Sequence, residues 1–104
     1  MKKIKKIAVM TSGGDAPGMN AAIRAVVRSC AYYSLSCVGI YRGYEGLIED
    51  DLVDLNARSV HNIINKGGTI LKSARSTGFR TKEGRQKAFE NLQEREVDAM
   101  VVIG

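Results

Sequence analysis

The sequence has no tryptophan, one proline, one histidine and two cysteines among 104 residues. Cys30 and Cys37 have six residues between them, which fits neither a C-x-x-C redox pair nor a zinc-ligand set, so we expect reduced, mostly buried thiols. No apolar run approaches the roughly 20 residues of a membrane span, so no membrane partner is expected. The apolar run after the first lysines is too short for a signal peptide, which predicts a cytoplasmic protein.

Positive charge exceeds negative charge, with 16 Lys and Arg against 11 Asp and Glu and a net charge of +5. A basic balance suits phosphorylated small molecules as well as nucleic acid. The basic residues form no single stripe and no nucleic-acid reader motif is present, so nucleic acid is not an expected partner. The length fits one domain, and there is no repeat, linker or low-complexity tract.

The chain is organised around a glycine-rich stretch, residues 11–20, which reads Thr-Ser-Gly-Gly-Asp-Ala-Pro-Gly-Met-Asn. A predicted strand, residues 5–10, precedes it, and a predicted helix from about Gly18 to Tyr32, with Asp15 as a candidate cap, follows it. Glycines allow close backbone approach, and the helix start favours anions, so the stretch predicts phosphate binding. The alternative is a tight turn with no ligand. The Walker motif of P-loop proteins is absent. No G-x-G-x-x-G follows the first strand and no acidic residue closes the second, which disfavours a dinucleotide-dependent oxidoreductase.

The rest of the sequence alternates between strand and helix patterns. Further strands are predicted at 36–41, at Ile70 and Leu71, where the strand is buried, and at 97–103, and a connection at 47–55 contains one brief edge strand. A short helix is predicted at 60–66, begun by Ser59. A longer helix is predicted at 82–94, capped by Thr81, with Ala88, Phe89 and Leu92 inside. This order predicts a doubly wound, mostly parallel, Rossmann-like α/β sheet. Ligands bind such sheets at the carboxyl ends of the strands, which are followed here by 11–20, 42–46, 73–76 and Gly104.

Two segments resemble the phosphofructokinase family. Residues 11–20 followed by Ala-Ala-Ile-Arg look like its N-terminal signature, and residues 67–75 resemble its Gly-Gly-Thr-x-Leu-Gly-Ser-Ala-Arg element. The sequence departs from the second pattern at Lys72, where glycine is usual, and at Ser76, where an aromatic residue often follows. The resemblance extends from Ile7 to Gly104. It implies that residues 1–104 are the N-terminal nucleotide-binding portion of the fold, ending before the family's Gly-Asp-Gly metal element.

The resemblance implies a nucleotide site and an effector site. Gly14, Tyr44, Arg75 and Ser76 would bind the nucleotide, with Arg75 on its phosphates. The residues alone leave two alternatives open: Tyr44 packs at the rim, or Arg75 closes a surface ion pair.

Arg24 and Arg28 share a helix face, which the residues alone favour as a solvated surface. The resemblance implies instead that they bind a nucleotide effector at a subunit interface. In the family another arginine precedes the following helix. Ala57 occupies that position here and Arg58 comes one residue later, which makes Arg58 an inexact match.

The resemblance also implies the reaction. The intact enzyme would transfer the γ-phosphoryl group of ATP to fructose 6-phosphate with Mg²⁺, as a homo-oligomer and by resemblance a tetramer. The magnesium ligand and the catalytic base would both lie beyond residue 104, so no catalytic or metal-binding residue is expected in this chain, and the chain alone should be inactive. A pyrophosphate-dependent phosphofructokinase and a non-catalytic nucleotide-binding module remain alternatives.

Overall fold

The computed structural model describes residues 3–12, 18–63, 69–73 and 78–104. The described elements are β1 (Lys6–Thr11), α1 (Met19–Tyr32), β2 (Ser36–Ile40), α2 (Gly43–Glu49), β3 (Leu52–Leu55), a 3-10 turn at Gly78–Arg80, α3 (Lys82–Glu94) and β4 (Ala99–Ile103). Strands and helices therefore alternate along most of the chain, as the sequence predicts.

Four strands form one sheet in the order β3-β2-β1-β4. β1 pairs in parallel with β2 and with β4, while β3 pairs antiparallel with β2 at the edge. The antiparallel β3 is the brief edge strand expected between residues 47 and 55. The prediction of a mostly parallel α/β sheet is confirmed.

Helices cover both faces of the sheet. Val9 of β1 packs in one buried cluster with Ile23 and Val27 of α1. The neighbouring Ala8 and Met10 belong to a second cluster, with residues of α2 and α3. Successive side chains of a strand point to opposite faces, so β1 contributes to both halves of the core. This three-layer arrangement confirms the doubly wound architecture.

The helix ends explain why the predicted boundaries of α1 and α3 are accurate. Thr81 caps α3: its hydroxyl accepts a hydrogen bond from the Gly84 amide at 2.9 Å. α1 ends in a Schellman turn with Ser34 in the left-handed region, and the Leu35 amide donates to the Cys30 carbonyl at 2.7 Å. α1 starts after Gly18, which has a left-handed φ of 94° and makes no side-chain cap. The predicted cap Asp15 lies outside the described residues.

Three predicted elements are corrected. Residues 69–72 form a turn and not a strand at Ile70 and Leu71, because this segment bonds to strand ends and not alongside a strand. Residues 43–49 form helix α2 where a turn and connection were expected. Described residues 57–62 are turns, so Ser59 does not begin a helix at Val60. Ile63 has 3-10 conformation, and residues 64–66 of that predicted helix lie outside the described residues.

The inner face of α3 also differs from the prediction. Ala88 is buried as expected, but Phe89 is 54% exposed and Asn91 is buried instead. The Asn91 side-chain amide donates to the carbonyls of Leu47 and Ile48 at 2.8 and 3.0 Å. These are carbonyls of the last turn of α2, which have no partner within their own helix. α3 therefore faces α2 through a polar contact, which hydrophobic periodicity does not report.

No helix within residues 3–12, 18–63, 69–73 and 78–104 combines the length and apolar character needed to span a bilayer.

Candidate phosphate-binding site

The carboxyl ends of β1 and β4 lie side by side. Thr11 is in register with Ile103, and the Ser12 amide donates to the Ile103 carbonyl at 2.8 Å. The chain leaving β2 lies against the same edge, because a Cβ atom added at Gly43 would be 3.1 Å from the Thr11 carbonyl oxygen. The described residues thus bring three predicted strand exits to one edge of the sheet.

The turn at residues 69–72 is fixed across this edge by hydrogen bonds. The Thr11 hydroxyl lies 3.1 Å from the Thr69 hydroxyl and donates to the Lys72 carbonyl at 3.1 Å. The Arg42 amide donates to the Leu71 carbonyl at 2.8 Å. The turn is therefore bonded to residues at the ends of both β1 and β2, although it is not itself a strand.

Asn20 joins the start of α1 to the same turn. Its side chain is buried, and its Oδ1 accepts a hydrogen bond from the Ile70 amide at 2.7 Å. Sequence reasoning did not assign a role to Asn20. The sequence contained one signal for such a role. Asn20 is the polar last residue of the glycine-rich motif and falls in the first turn of the predicted helix. Thr11, Asn20 and Thr69 are all buried polar residues, so this edge is held by a satisfied polar network.

A first prediction concerns the Thr11 hydroxyl. Thr11→Val preserves shape but leaves the part-buried Lys72 carbonyl without this donor, so we expect a loss of about 0.5–1.5 kcal/mol in the free energy of unfolding. Thr11→Ser keeps the hydroxyl and should retain more of the stability. Chemical denaturation of both variants measures the difference. Equal stability of the valine variant and the wild type would show that the hydrogen bond contributes nothing.

Arg42 is a polar residue of this edge that sequence reasoning did not single out. It adopts a left-handed conformation with φ 58°, pairs with Glu49, and lies 3.4 Å from an Asp51 carboxylate oxygen. The hydrogen bond to Glu49, followed by that to Asp51, raises the pKa of Arg42 above its usual range. The same arginine lowers the pKa of Glu49. The charge of Arg42, at the start of α2, is thus already compensated by the carboxylates of Glu49 and Asp51 at the other end of that helix.

Tyr44 lies in the first turn of α2 and is half-buried. Its ring stacks on Phe79 with centroids 4.2 Å apart and an angle of 26° between the planes. The stack fixes the orientation of the tyrosine and uses one face of its ring. Tyr44 is the one predicted nucleotide contact inside the described residues, and its role there remains a prediction.

The other predicted nucleotide contacts, Gly14, Arg75 and Ser76, lie outside the described residues. Their roles also remain predictions. The structure describes residues 11–12 and 18–20 of the first motif and residues 69–73 of the second. Thr11 connects the two directly through its bond to the Lys72 carbonyl.

Lys72 occupies a backbone conformation that suits glycine. Its φ is 57°, and its side chain is exposed. A side chain in this left-handed region costs about 1–2 kcal/mol. This geometry gives a physical reason for the glycine that is usual at this position in the similar family motif.

A second prediction follows for Lys72. Lys72→Gly should relieve the strain and raise the free energy of unfolding by about 0.5–1 kcal/mol, after the entropic cost of glycine is subtracted. Lys72→Ala removes the same charge but keeps a Cβ atom, so it should show no gain. The denaturant midpoints of the two variants separate the effect of relieving backbone strain from the effect of removing the charge. Equal stabilisation by alanine and glycine would contradict the explanation.

The predicted effector arginines lie on α1 and in the turns after β3. Arg24 is half-buried and Arg28 exposed on α1, and Arg58 is exposed in the turns that follow β3. Among the described residues, none of the three side chains makes a hydrogen bond or an ion pair with another residue. Their effector role therefore remains a prediction.

One groove in the described region lies at the opposite edge of the sheet. Its volume is about 660 Å³, and Lys3, Lys5 and Lys6 line it together with Glu96 and Asp98. Asp98 accepts hydrogen bonds from the amides of Lys5 and Lys6 at 2.7 and 3.0 Å. Ligands of parallel α/β sheets bind at the carboxyl ends of the strands, so we place the candidate site there and not in this groove. Within the described ranges no three acidic, cysteine or histidine side chains are grouped to hold a metal.

A mostly parallel, doubly wound sheet with its described strand exits at one carboxyl edge defines the class of α/β proteins whose ligands bind at that edge. The family model described as Phosphofructokinase matches residues 6–104. The chain therefore belongs to the phosphofructokinase family.

Similar proteins have consistent names. An ATP-dependent 6-phosphofructokinase of Thermoanaerobacter sp. (strain X514) is 58% identical over 97% of this chain and 32% of its own length. That of Cytophaga hutchinsonii is 59% identical over 97% of this chain and 31% of its own length. The chain thus spans about a third of the length of these relatives.

Solved structures agree with the sequence matches. Phosphofructokinase from Saccharomyces cerevisiae superimposes with a TM-score of 0.91 at 48% identity, over 94% of this chain and 13% of that one. Pichia pastoris phosphofructokinase in the T-state superimposes with a TM-score of 0.90 at 44% identity, over 98% of this chain and 11% of that one.

Proposed function

We propose that residues 1–104 form the nucleotide-binding N-terminal portion of an ATP-dependent 6-phosphofructokinase. The full-length protein would transfer the γ-phosphoryl group of ATP to fructose 6-phosphate. The observation that supports this most directly is the hydrogen-bonded junction at Thr11. It joins the first residue of the glycine-rich motif to Thr69 and Lys72 of the motif that ends at Arg75.

The proposed contacts divide the nucleotide between its phosphates and its base. Backbone amides at Gly14 would donate to the phosphates, since glycine permits close approach and charged acceptors strengthen such hydrogen bonds. Arg75 would stabilise the charge that develops on the transferred group, and Ser76 would add a polar contact beside it. Tyr44, held by Phe79, would present the free face of its ring to the base or sugar.

Magnesium belongs to the proposed reaction but not to the proposed contacts of this chain. When bound, the ion neutralises charge on the phosphates during transfer. The family resemblance assigns its acidic ligand to a position beyond residue 104, and the described residues contain no cluster of acidic side chains suited to it. This chain would therefore hold the nucleotide, and a later segment would hold the metal and supply the catalytic base.

The regulatory and cellular parts of the proposal rest on the relatives. A relative has been solved in a T-state, which indicates a two-state enzyme in that case. By similarity, the full-length protein would be a cytoplasmic homo-oligomer, by resemblance a tetramer. Arg24, Arg28 and Arg58 would belong to a nucleotide effector site at a subunit interface.

The test uses the full-length protein in a coupled assay with fructose 6-phosphate and either ATP or pyrophosphate. We expect turnover with ATP and Mg²⁺, and none from residues 1–104 alone. Turnover with pyrophosphate but not with ATP would identify a pyrophosphate-dependent phosphofructokinase instead. Nucleotide binding without any turnover would instead identify a sensing module.

A further inference from the structure

Lys72 has an unusual backbone conformation that its surroundings impose. Its φ of 57° lies in the left-handed region, and its side chain is exposed. Its carbonyl accepts the hydrogen bond of the Thr11 hydroxyl at 3.1 Å, and its amide donates to the Thr69 carbonyl at 3.3 Å. These hydrogen bonds hold a lysine in a conformation that glycine adopts at lower cost. Residues strained in this way cluster at active sites and ligand clamps.

The turn that carries Lys72 is bonded to both elements that the glycine-rich motif connects. The Lys72 carbonyl is bonded to the last residue of β1, and the Ile70 amide is bonded to Asn20 in the first turn of α1. Leu71, the residue before Lys72, packs in the same buried cluster as Ile23 of α1. Lys72 therefore lies beside the strand end and the helix start where the sequence predicts phosphate binding.

The positive charge of Lys72 is not compensated by the part of the chain that the structure describes. No carboxylate within residues 3–12, 18–63, 69–73 and 78–104 pairs with its ammonium group. Arg42 at the same edge differs, because Glu49 and Asp51 already pair with its guanidinium. An anion that arrives at this edge therefore meets an exposed, unpaired charge at Lys72.

We propose that the Lys72 ammonium binds a phosphate group of the phosphoryl donor. This inference rests on the proposed function, because it requires the donor to lie at the carboxyl edge of the sheet. Lysine binds phosphate as a point charge, which suits an exposed side chain beside a backbone-lined site. The lysine thus increases donor affinity at some cost in folding stability, a known form of trade-off at functional sites.

The kinetic effect of this contact is on KM. The phosphate carries its negative charge before the reaction as well as in the transition state, so the ammonium stabilises both states to a similar extent. Loss of such a contact raises KM and leaves kcat nearly unchanged. This pattern distinguishes Lys72 from Arg75, whose proposed contact acts mainly in the transition state.

Three variants of the full-length protein separate charge from strain. Lys72→Gly and Lys72→Met both remove the ammonium, so both should raise the KM for ATP about fivefold to tenfold. Only the glycine variant relieves the left-handed conformation, so only this variant should also have a higher denaturant midpoint. Lys72→Arg keeps the positive charge and should keep a KM close to that of the wild type. The rise in KM should shrink at higher ionic strength, because salt screens exposed charges.

Lys5→Met is the matched control. Lys5 is exposed and directly precedes β1, so it lies at the opposite edge of the sheet. The substitution removes the same charge from the same type of side chain, and the KM for ATP should stay at the wild-type value. An equal rise in the KM of both methionine variants would show an effect of net charge and would overturn the proposal.

Inorganic tripolyphosphate tests the phosphate contact without any turnover. Calorimetry with the full-length protein should show that Lys72→Met weakens tripolyphosphate binding by about the same factor as it raises the KM for ATP. Adenosine, which has the base and sugar but no phosphate, should bind to both proteins equally. If the wild type fails to use ATP, the proposed function is wrong, and the tripolyphosphate measurement still decides whether Lys72 binds phosphate.

Three results would contradict the role of Lys72. The wild type could use ATP while Lys72→Met leaves both its KM and tripolyphosphate binding unchanged. The KM could rise for fructose 6-phosphate and not for ATP, which would place the lysine at the acceptor. Adenosine binding could weaken together with tripolyphosphate binding, which would show that the substitution displaces the turn.

Discussion

Replacing Arg75 by alanine in the full-length protein is expected to lower kcat with ATP by about a hundredfold to a thousandfold. The physical reason is that a guanidinium placed at the transferred phosphoryl group acts mainly where charge develops, in the transition state. The KM for ATP should change much less than kcat. Steady-state kinetics at saturating Mg²⁺ and fructose 6-phosphate separate the two parameters.

Arg95→Ala is the matched control for Arg75. It removes the same charge, but Arg95 pairs with Asp50 at 2.7 Å, and its carbonyl accepts a hydrogen bond from Lys6 at the amino end of β1. It therefore lies away from the carboxyl edge and should leave kcat unchanged. Equal effects of the two substitutions would mean that Arg75 acts through net charge. An unaltered kcat in Arg75→Ala would remove its proposed role.

The largest loss of stability is expected from Gly46→Ala. Gly46 lies inside α2 and is buried, and an added Cβ atom would overlap the Tyr41 carbonyl group. This obstacle is main chain and cannot turn aside, so α2 would have to move away from β2. We expect a loss of about 3 kcal/mol or more, a large share of the stability of a typical domain.

The control for Gly46 is Glu45→Ala in the same helix. Glu45 is half-buried and precedes the close contact by one residue, so its replacement should change stability by less than about 0.5 kcal/mol. Thermal unfolding of the full-length variants, followed with the yield of folded protein, measures both. A melting temperature for Gly46→Ala equal to that of the wild type would show that α2 can shift at little cost.

The prediction from sequence was accurate where local signals and core patterning agree. α3 has a threonine cap followed by helix-forming residues, and its observed bounds match the predicted ones. β1 and β4 are short apolar runs bounded by polar or glycine residues, and they form neighbouring parallel strands. In these segments the local preference and the tertiary environment favour the same conformation.

The prediction failed where long-range contacts override local preference. Helix α2 contains two glycines, which are poor helix formers, and it exists because their lack of side chains allows close packing on Thr11 and Tyr41. Ile70 and Leu71 have strand-forming character, but hydrogen bonds to Asn20 and Arg42 hold them in a turn. Phe89 looked like a core residue because the partner of α3 was unknown.

The candidate site shows the same division. The glycine-rich motif, the expected phosphate ligand and the family resemblance came from residue identity and spacing alone. The position of Lys72 beneath the Thr11 hydroxyl, the stacking of Tyr44 on Phe79 and the contact of Asn20 with Ile70 came from the fold.

By itself, the sequence determined the order and type of most elements, because capping residues and apolar periodicity act over a few positions. It also determined the family, because the two motifs are long and specific. Only the tertiary structure decided which strand ends meet and which polar side chains join them. Thr11 and Thr69 are 58 positions apart, and nothing in the residues near either one specifies their contact. Their hydroxyls meet because hydrogen bonds to Asn20 and Arg42 hold the turn at residues 69–72 across the end of β1.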